Sequence, residues 1–322
     1  MTTDRAMDGT AADGTAADET AADGTRARDT VAPGAAAEAA GIEVLPVAGH
    51  TGAEIRGLDL ASGLLPVQVE AVRAAVLRWK VVFFRDQHLD HAGQVAFARL
   101  FGEPVVLPRR GKASPAGFPE VETTADRLEL GGRFGMEHEE WLRRRRHTLL
   151  RGWHCDHGAR VDPPAATILR AETVPPYGGD TTWSNLAAAY AGLSAPVRAF
   201  VDGLRAEHRL GVGYQPRPGD DAYVRHLLDH QTATVHPLVR VHPETGERVL
   251  FVNGYYVEQI AGLSRHESAA VLELLLEQAT RPSTRSASAG SRAASPSGTT
   301  GPPSISPPAT TPTSVTPGPC TA

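Results

Sequence analysis

Cysteine, long apolar runs and net positive charge are all scarce in this chain. Two cysteines among 322 residues exclude a disulfide framework. No apolar run reaches the roughly 18 residues needed to cross a bilayer. The polar start lacks the basic and apolar regions of a signal peptide, so the cytoplasm is the expected location. A formal charge of −5 gives no footprint for nucleic acid. Two further absences are local. Residues 1–40 repeat an Ala-Ala-Asp-Gly-Thr theme with almost no large apolar side chain, and such a segment cannot bury enough surface to offset its ordering entropy. It is expected to be a disordered tail. Residues 283–322 contain no acidic residue, no aromatic, no leucine and no histidine, the composition of a low-complexity tail. Between them, residues 41–282 are the expected folded domain. With 41% hydrophobic residues, the chain can bury one large core or two small ones.

The stretch that carries chemistry is Gly152-Trp153-His154-Cys155-Asp156, set between the apolar pair Leu149-Leu150 and the stiff turn Asp162-Pro163-Pro164. In an extended segment side chains alternate faces, so His154 and Asp156 point one way and Cys155 the other. One imidazole and one carboxylate then meet at a single point. That pair is two-thirds of the ligand set that holds Fe(II) on one face and leaves the opposite positions open. A bare H-x-D is a weak signal, because an exposed His and Asp are usually just solvated.

The surroundings are more specific. Trp153-His154-Cys155-Asp156, then Pro163-Pro164-Ala165-Ala166-Thr167-Ile168-Leu169, then Gly178-Gly179-Asp180-Thr181-Thr182-Trp183 resembles the TauD/TfdA family of Fe(II)- and 2-oxoglutarate-dependent dioxygenases, from about Ile42 to Pro282. Trp79, Arg85-Asp86-Gln87 and Phe101-Gly102-Glu103 look like the family's N-terminal region. The resemblance implies a mainly β protein with flanking helices, a double-stranded β-helix or jelly roll. It implies Fe(II) held by His154, Asp156 and a further histidine, and 2-oxoglutarate as cosubstrate, its far carboxylate gripped by Thr181 and an arginine. Its other partners would be O2 and a small organic substrate, hydroxylated with release of succinate and CO2; a homo-oligomer is compatible with this. Taurine fits poorly, since no histidine lies between Glu103 and His138 and Leu150 stands where taurine enzymes carry a polar Asn. Apart from the family, Thr181 reads first as a strand threonine chosen for β-propensity.

The scaffold reads as follows. Ile42 to Leu45 alternates like a strand. Val69, Val72, Val76 and Trp79 fall on one helical face after Pro66, and Val81 to Phe84 is a buried strand. Asp90 caps a helix carrying Val95, Phe97 and Phe101 that stops at Gly102. Residues 104–148 are expected to form a long loop or lid. A strand covers Thr167 to Glu172, helices cover Leu186 to Leu193 and Ser194 to Gly203, and Leu204 to His208 is again a strand. Val235 to Val252 is a hairpin, and Ser264-Arg265-His266-Glu267 is a capping box opening a helix that ends at Arg281-Pro282.

Several histidines and arginines are decoys. Glu137-His138-Glu139-Glu140 lacks the second histidine of a zinc-protease helix, because Leu142 stands four residues on. Arg143 to Arg146 reads as a solvated face rather than an anion clamp. His236 and His242 each stand beside a proline at a strand end and read as structural rather than as the third ligand. A zinc hydrolase using His154, His157 and an acidic residue would need a helix that Pro163-Pro164 disfavours.

The tail conflicts with the resemblance, which places the second metal histidine and the terminal arginine beyond Pro282, whereas no histidine follows His266. Ser, Pro, Thr and Ala are what a GC-rich gene yields when read out of frame. Moving the frame at the Pro282/Ser283 junction allows Glu-Tyr-Gln-Val-Arg-Phe-Arg-Trp from Ser283 to Gly290. It then allows Val-Ala-Phe-Trp-Asp-Asn-Arg-Ala-Thr-Gln-His-Leu-Ala-Pro from Ser295 to Pro308, and a closing His-Arg by Ala322. These strings look like the family's closing strands in order. Residues 283–322 are therefore expected to be out of frame, and the chain as written impaired. The alternative is a catalytically dead relic acting as a binding module.

Overall fold

Period-two and helical spacings translate directly into elements over most of the domain. The computed structural model describes residues 33–106, 114–122, 153–172, 181–209 and 233–281, together with the backbone of 285–288 and 313–317. Glu137 to Glu140 and Arg143 to Arg146 lie outside the described residues. Among the described residues no helix is long and apolar enough to cross a membrane.

Order begins before residue 41. Pro33–Ala39 is helix α1, and Ala37 and Ala40 are buried in the first core. Composition hid this because the helix buries only alanines, which lose no side-chain entropy and let a neighbouring helix approach. Gly41, at φ +66, ends it in the left-handed region.

Strands β1 (Glu43–Pro46) and β2 (Ala53–Arg56) pair antiparallel, and β3 (Val82–Phe84) runs parallel to β2. Helix α2 (Pro66–Trp79) makes the crossover, with proline in its first turn where the missing N–H costs nothing. It buries Ala71, Val72, Ala75 and Val76. β3 is buried throughout. Val82 and Phe84 enter the first core with Ile55 and Phe97, whereas Phe83 points the other way and meets Trp183 edge-on at 5.2 Å. Helix α3 (His91–Arg99) is capped by the Asp90 carboxylate, which accepts from the Gly93 N–H. It stops at Leu100, so Phe101 lies just past its end.

Strands β4 (Ala166–Arg170) and β5 (Thr181–Ser184) follow the candidate metal motif. Asn185 caps helix α4 (Leu186–Ala191), and helix α5 (Ala195–Val201) starts after Ser194. The second core forms around Phe251, where α4 and α5 meet strands β6 (Arg205–His208), β7 (Thr234–Pro237), β8 (Val239–Val241), β9 (Arg248–Leu250) and β10 (Val257–Ile260) and helix α6 (Arg265–Ala279). The expected hairpin is β8 with β9, Val239 opposite Leu250. Its first residues instead form β7, which pairs with β6 in a β10-β6-β7 sheet, because Leu238 breaks the strand to bond the Leu204 carbonyl. The Ser264/Glu267 capping box opens α6 as expected.

Two pieces of the expected tail are strands. β11 (Arg285–Ser288) pairs with β5, and β12 (Thr313–Pro317) lies between β3 and β4 in the five-stranded sheet β1-β2-β3-β12-β4. A ladder asks only for backbone donors and acceptors, which Ser and Thr supply as well as any residue.

Candidate metal centre

His154 and Asp156 sit at the mouth of a turn, not in the extended strand that the spacing suggested. The Gly158 N–H bonds the Cys155 carbonyl and the Arg160 N–H bonds the His157 carbonyl. His157 has φ 53, a conformation that few residues with a Cβ adopt. The turn nevertheless brings the pair together: His154 Nε2 is 3.3 Å from Asp156 Oδ1, and both side chains are about one-third exposed. Cys155 between them is buried in the second core and is disulfide-bonded, so the two cysteines do form a bridge. Burial raises the Asp156 pKa, but hydrogen bonds from His154 and Thr167 outweigh it and hold the carboxyl below its ordinary value.

The distance suits a shared ion. Two ligand atoms about 2.1 Å from one metal and at right angles lie roughly 3 Å apart. The donor set of one imidazole nitrogen and one carboxylate oxygen is that of the Fe(II) triad, two members of three. Among the described residues no group of three His, Cys, Asp or Glu side chains could hold a metal. Among the described residues neither His236 nor His242 forms a three-ligand group with the pair. His236 Nε2 lies 2.8 Å from the Arg160 carbonyl, and His242 Nδ1 accepts from the Glu244 and Thr245 N–H groups. His157 lies in a turn, so the helix a zinc hydrolase would require is absent there.

Thr181 opens β5, exposed, with Ser288 of β11 opposite, and no hydrogen bond joins it to the pair. Three residues on, Ser184 lines an apolar cleft beside His154, with Trp153, Leu186, Val252 and Leu276. Two contributors were not visible in the sequence. Thr167 donates to Asp156 from β4, which only the folding of the Pro163-Pro164 corner back onto the motif makes possible. Tyr255, half-exposed, places its ring 5.8 Å from that of His154 across a hundred residues of chain.

Residues 43–286 match the sequence profile of the family described as "Taurine catabolism dioxygenase TauD, TfdA family". The chain belongs to that family. It is 39% identical over 247 residues to an alpha-ketoglutarate-dependent sulfate ester dioxygenase of Pseudomonas putida, covering 74% of this chain and 75% of the relative. It is 32% identical over 249 residues to an alkylsulfatase of Acinetobacter baylyi, covering 75% and 72%. Among solved structures it is similar to a taurine dioxygenase from Burkholderia xenovorans, at 40% identity and a TM-score of 0.63 over 86% of this chain and 79% of that one.

Proposed function

We propose that this chain is an Fe(II)- and 2-oxoglutarate-dependent dioxygenase on a double-stranded β-helix (jelly roll) scaffold. It oxidises a C–H bond of a small organic sulfate ester and releases succinate and CO2. The observation that carries this reading is the 3.3 Å approach of His154 Nε2 to Asp156 Oδ1 in a member of this family. Bound iron and cosubstrate would supply the O2 chemistry that no side chain can. The chain's own residues do the rest. His154 and Asp156 hold the ion, the Thr167 hydroxyl fixes the carboxylate, and Trp153, Leu186 and Val252 keep water from one side. Thr181 donates to the far carboxylate of 2-oxoglutarate without bringing a competing charge. A sulfate ester is preferred to taurine because two relatives are named for sulfate esters, and because an apolar wall suits an alkyl chain better than an ammonium group.

We further propose that the frame is displaced after Pro282, leaving the centre one ligand short. The family match supports this by stopping at residue 286, and no three-ligand group occurs among the described residues. The test measures Fe(II)-dependent succinate formation, with an alkyl sulfate or taurine, by the chain as written and by one with the frame restored. The restored protein should turn over the alkyl sulfate, and His154→Ala or Asp156→Ala should abolish that turnover. Thr181→Val should raise the 2-oxoglutarate requirement by about 1.5–3 kcal/mol, one charge-assisted hydrogen bond. Unchanged succinate in either ligand variant would overturn the assignment, and full activity of the chain as written would show that another residue completes the site.

A further inference from the structure

Two buried histidines that the proposed reaction does not use stand directly behind the turn carrying Asp156. His236, on β7, is 5% exposed, and its Nε2 lies 2.8 Å from the Arg160 carbonyl oxygen. A carbonyl can only accept, so Nε2 carries the proton and the ring holds that carbonyl as a donor. His208, on β6, is fully buried. It stacks on Phe251 at 4.9 Å and 15° and meets the His236 ring edge-on at 5.0 Å, which fixes the plane of the donor. Its ring nitrogens face the Gly158 backbone without a well-formed hydrogen bond.

The turn has reason to need this support. His157, immediately after Asp156, sits at φ 53, and such outliers persist only where the surroundings over-determine them. Gly158 is closely packed, since a Cβ there would lie 3.1 Å from the Cys155 carbonyl oxygen and 3.5 Å from Tyr256 Cδ2.

We infer that His236, backed by His208, is a positioning residue that fixes the 156–160 turn and thereby aims Asp156 at His154. Its consequence for metal binding rests on the reading of that pair as ligands. The support itself can be measured without metal. Hydrogen exchange on the metal-free full chain should show His236→Leu lowering protection of the Gly158 and Arg160 amides at least tenfold, with the α2 amides unchanged. His236→Gln, whose Nε2 can donate in the same place, should restore most of it. Co(II) titration, followed by visible absorption, should show His236→Leu weakening binding about 10- to 100-fold, the range for outer-shell partners of metal ligands. Asp156→Ala serves as the gauge. Unmoved protection at Gly158 and Arg160 would overturn the inference. So would a uniform loss across the domain that Gln does not restore. If Asp156→Ala weakens Co(II) binding and His236→Leu does not, positioning fails while the ligand reading stands. If Asp156→Ala changes nothing, the ligand reading fails and the exchange data alone decide the support.

Discussion

Strands β3 and β12 are neighbours in one sheet, with Phe84 opposite Thr313, Phe83 opposite Ser314 and Val82 opposite Val315, yet their sequences do different work. Every residue of β3 is buried, and its two phenylalanines enter two separate cores. β12 reads Thr-Ser-Val-Thr-Pro, and β11 reads Arg-Ser-Ala-Ser. Hydrogen-bonded ladders are blind to sequence, so a segment without large side chains can occupy a place in a sheet. Cores and metal centres are not blind to it. The contrast separates having a strand in place from having the side chains that make the strand useful.

Restoring the frame after Pro282 should remove that contrast and has the largest expected effect. The restored strands would add roughly three to six large apolar side chains at about 1.5–3 kcal/mol each. Ordering entropy cancels part of this. The gross amount is still comparable with the 5–15 kcal/mol or so that holds a typical domain together. The restored chain should therefore unfold at clearly higher urea concentration and temperature, and the chain as written should melt early. Equal midpoints for the two would mean that the tail seals the domain as it stands.

A smaller effect sharpens the same contrast within one sheet. Phe84→Ala should cost about 3–5 kcal/mol, because it empties a fully buried site against Phe97. Val315→Thr in β12, opposite Val82, is expected to stay within about 0.5 kcal/mol. Urea unfolding of both variants decides the matter; a loss at Val315 approaching that at Phe84 would give β12 a share of the core.

Much of this was legible in the chain. The helix over Pro66–Trp79, the strand over Val82–Phe84, the Asp90 cap and the Ser264/Glu267 box all follow from side-chain spacing and capping chemistry, which are local. The convergence of His154 and Asp156 was legible too, although a turn rather than a strand achieves it. Long-range contacts were not. Thr167 against Asp156, Tyr255 beside His154 and His236 under Arg160 each join segments whose approach no local rule encodes. Helix α1 was missed because alanines leave no periodic signal, and β11 and β12 because backbone pairing leaves no mark on composition.

The smallest effect probes how well the second core excludes water. His208 is fully buried there, and its pKa is pushed down to about 3 from 6.5, by burial first and then by the neighbouring His236 and Arg240. Between those values the unfolded chain binds a proton that the folded chain does not. The contribution is therefore fully present above pH 6.5 and is lost as pH falls, at about 1.4 kcal/mol per unit. From pH 6.5 to about 5 the loss is roughly 2 kcal/mol from this ring alone. His236 and His242, also depressed by burial first, add to it with the same sign. The lowered carboxyls, Asp156 and Glu247 among them, act in the same direction, but only below their ordinary values of 3.8 and 4.5, so the window above pH 5 isolates the histidines. His208→Leu should flatten the stability profile there by about 1.4 kcal/mol per unit while keeping the apolar stack on Phe251. An unchanged slope would mean that His208 already protonates in the folded chain. Water would then reach the second core.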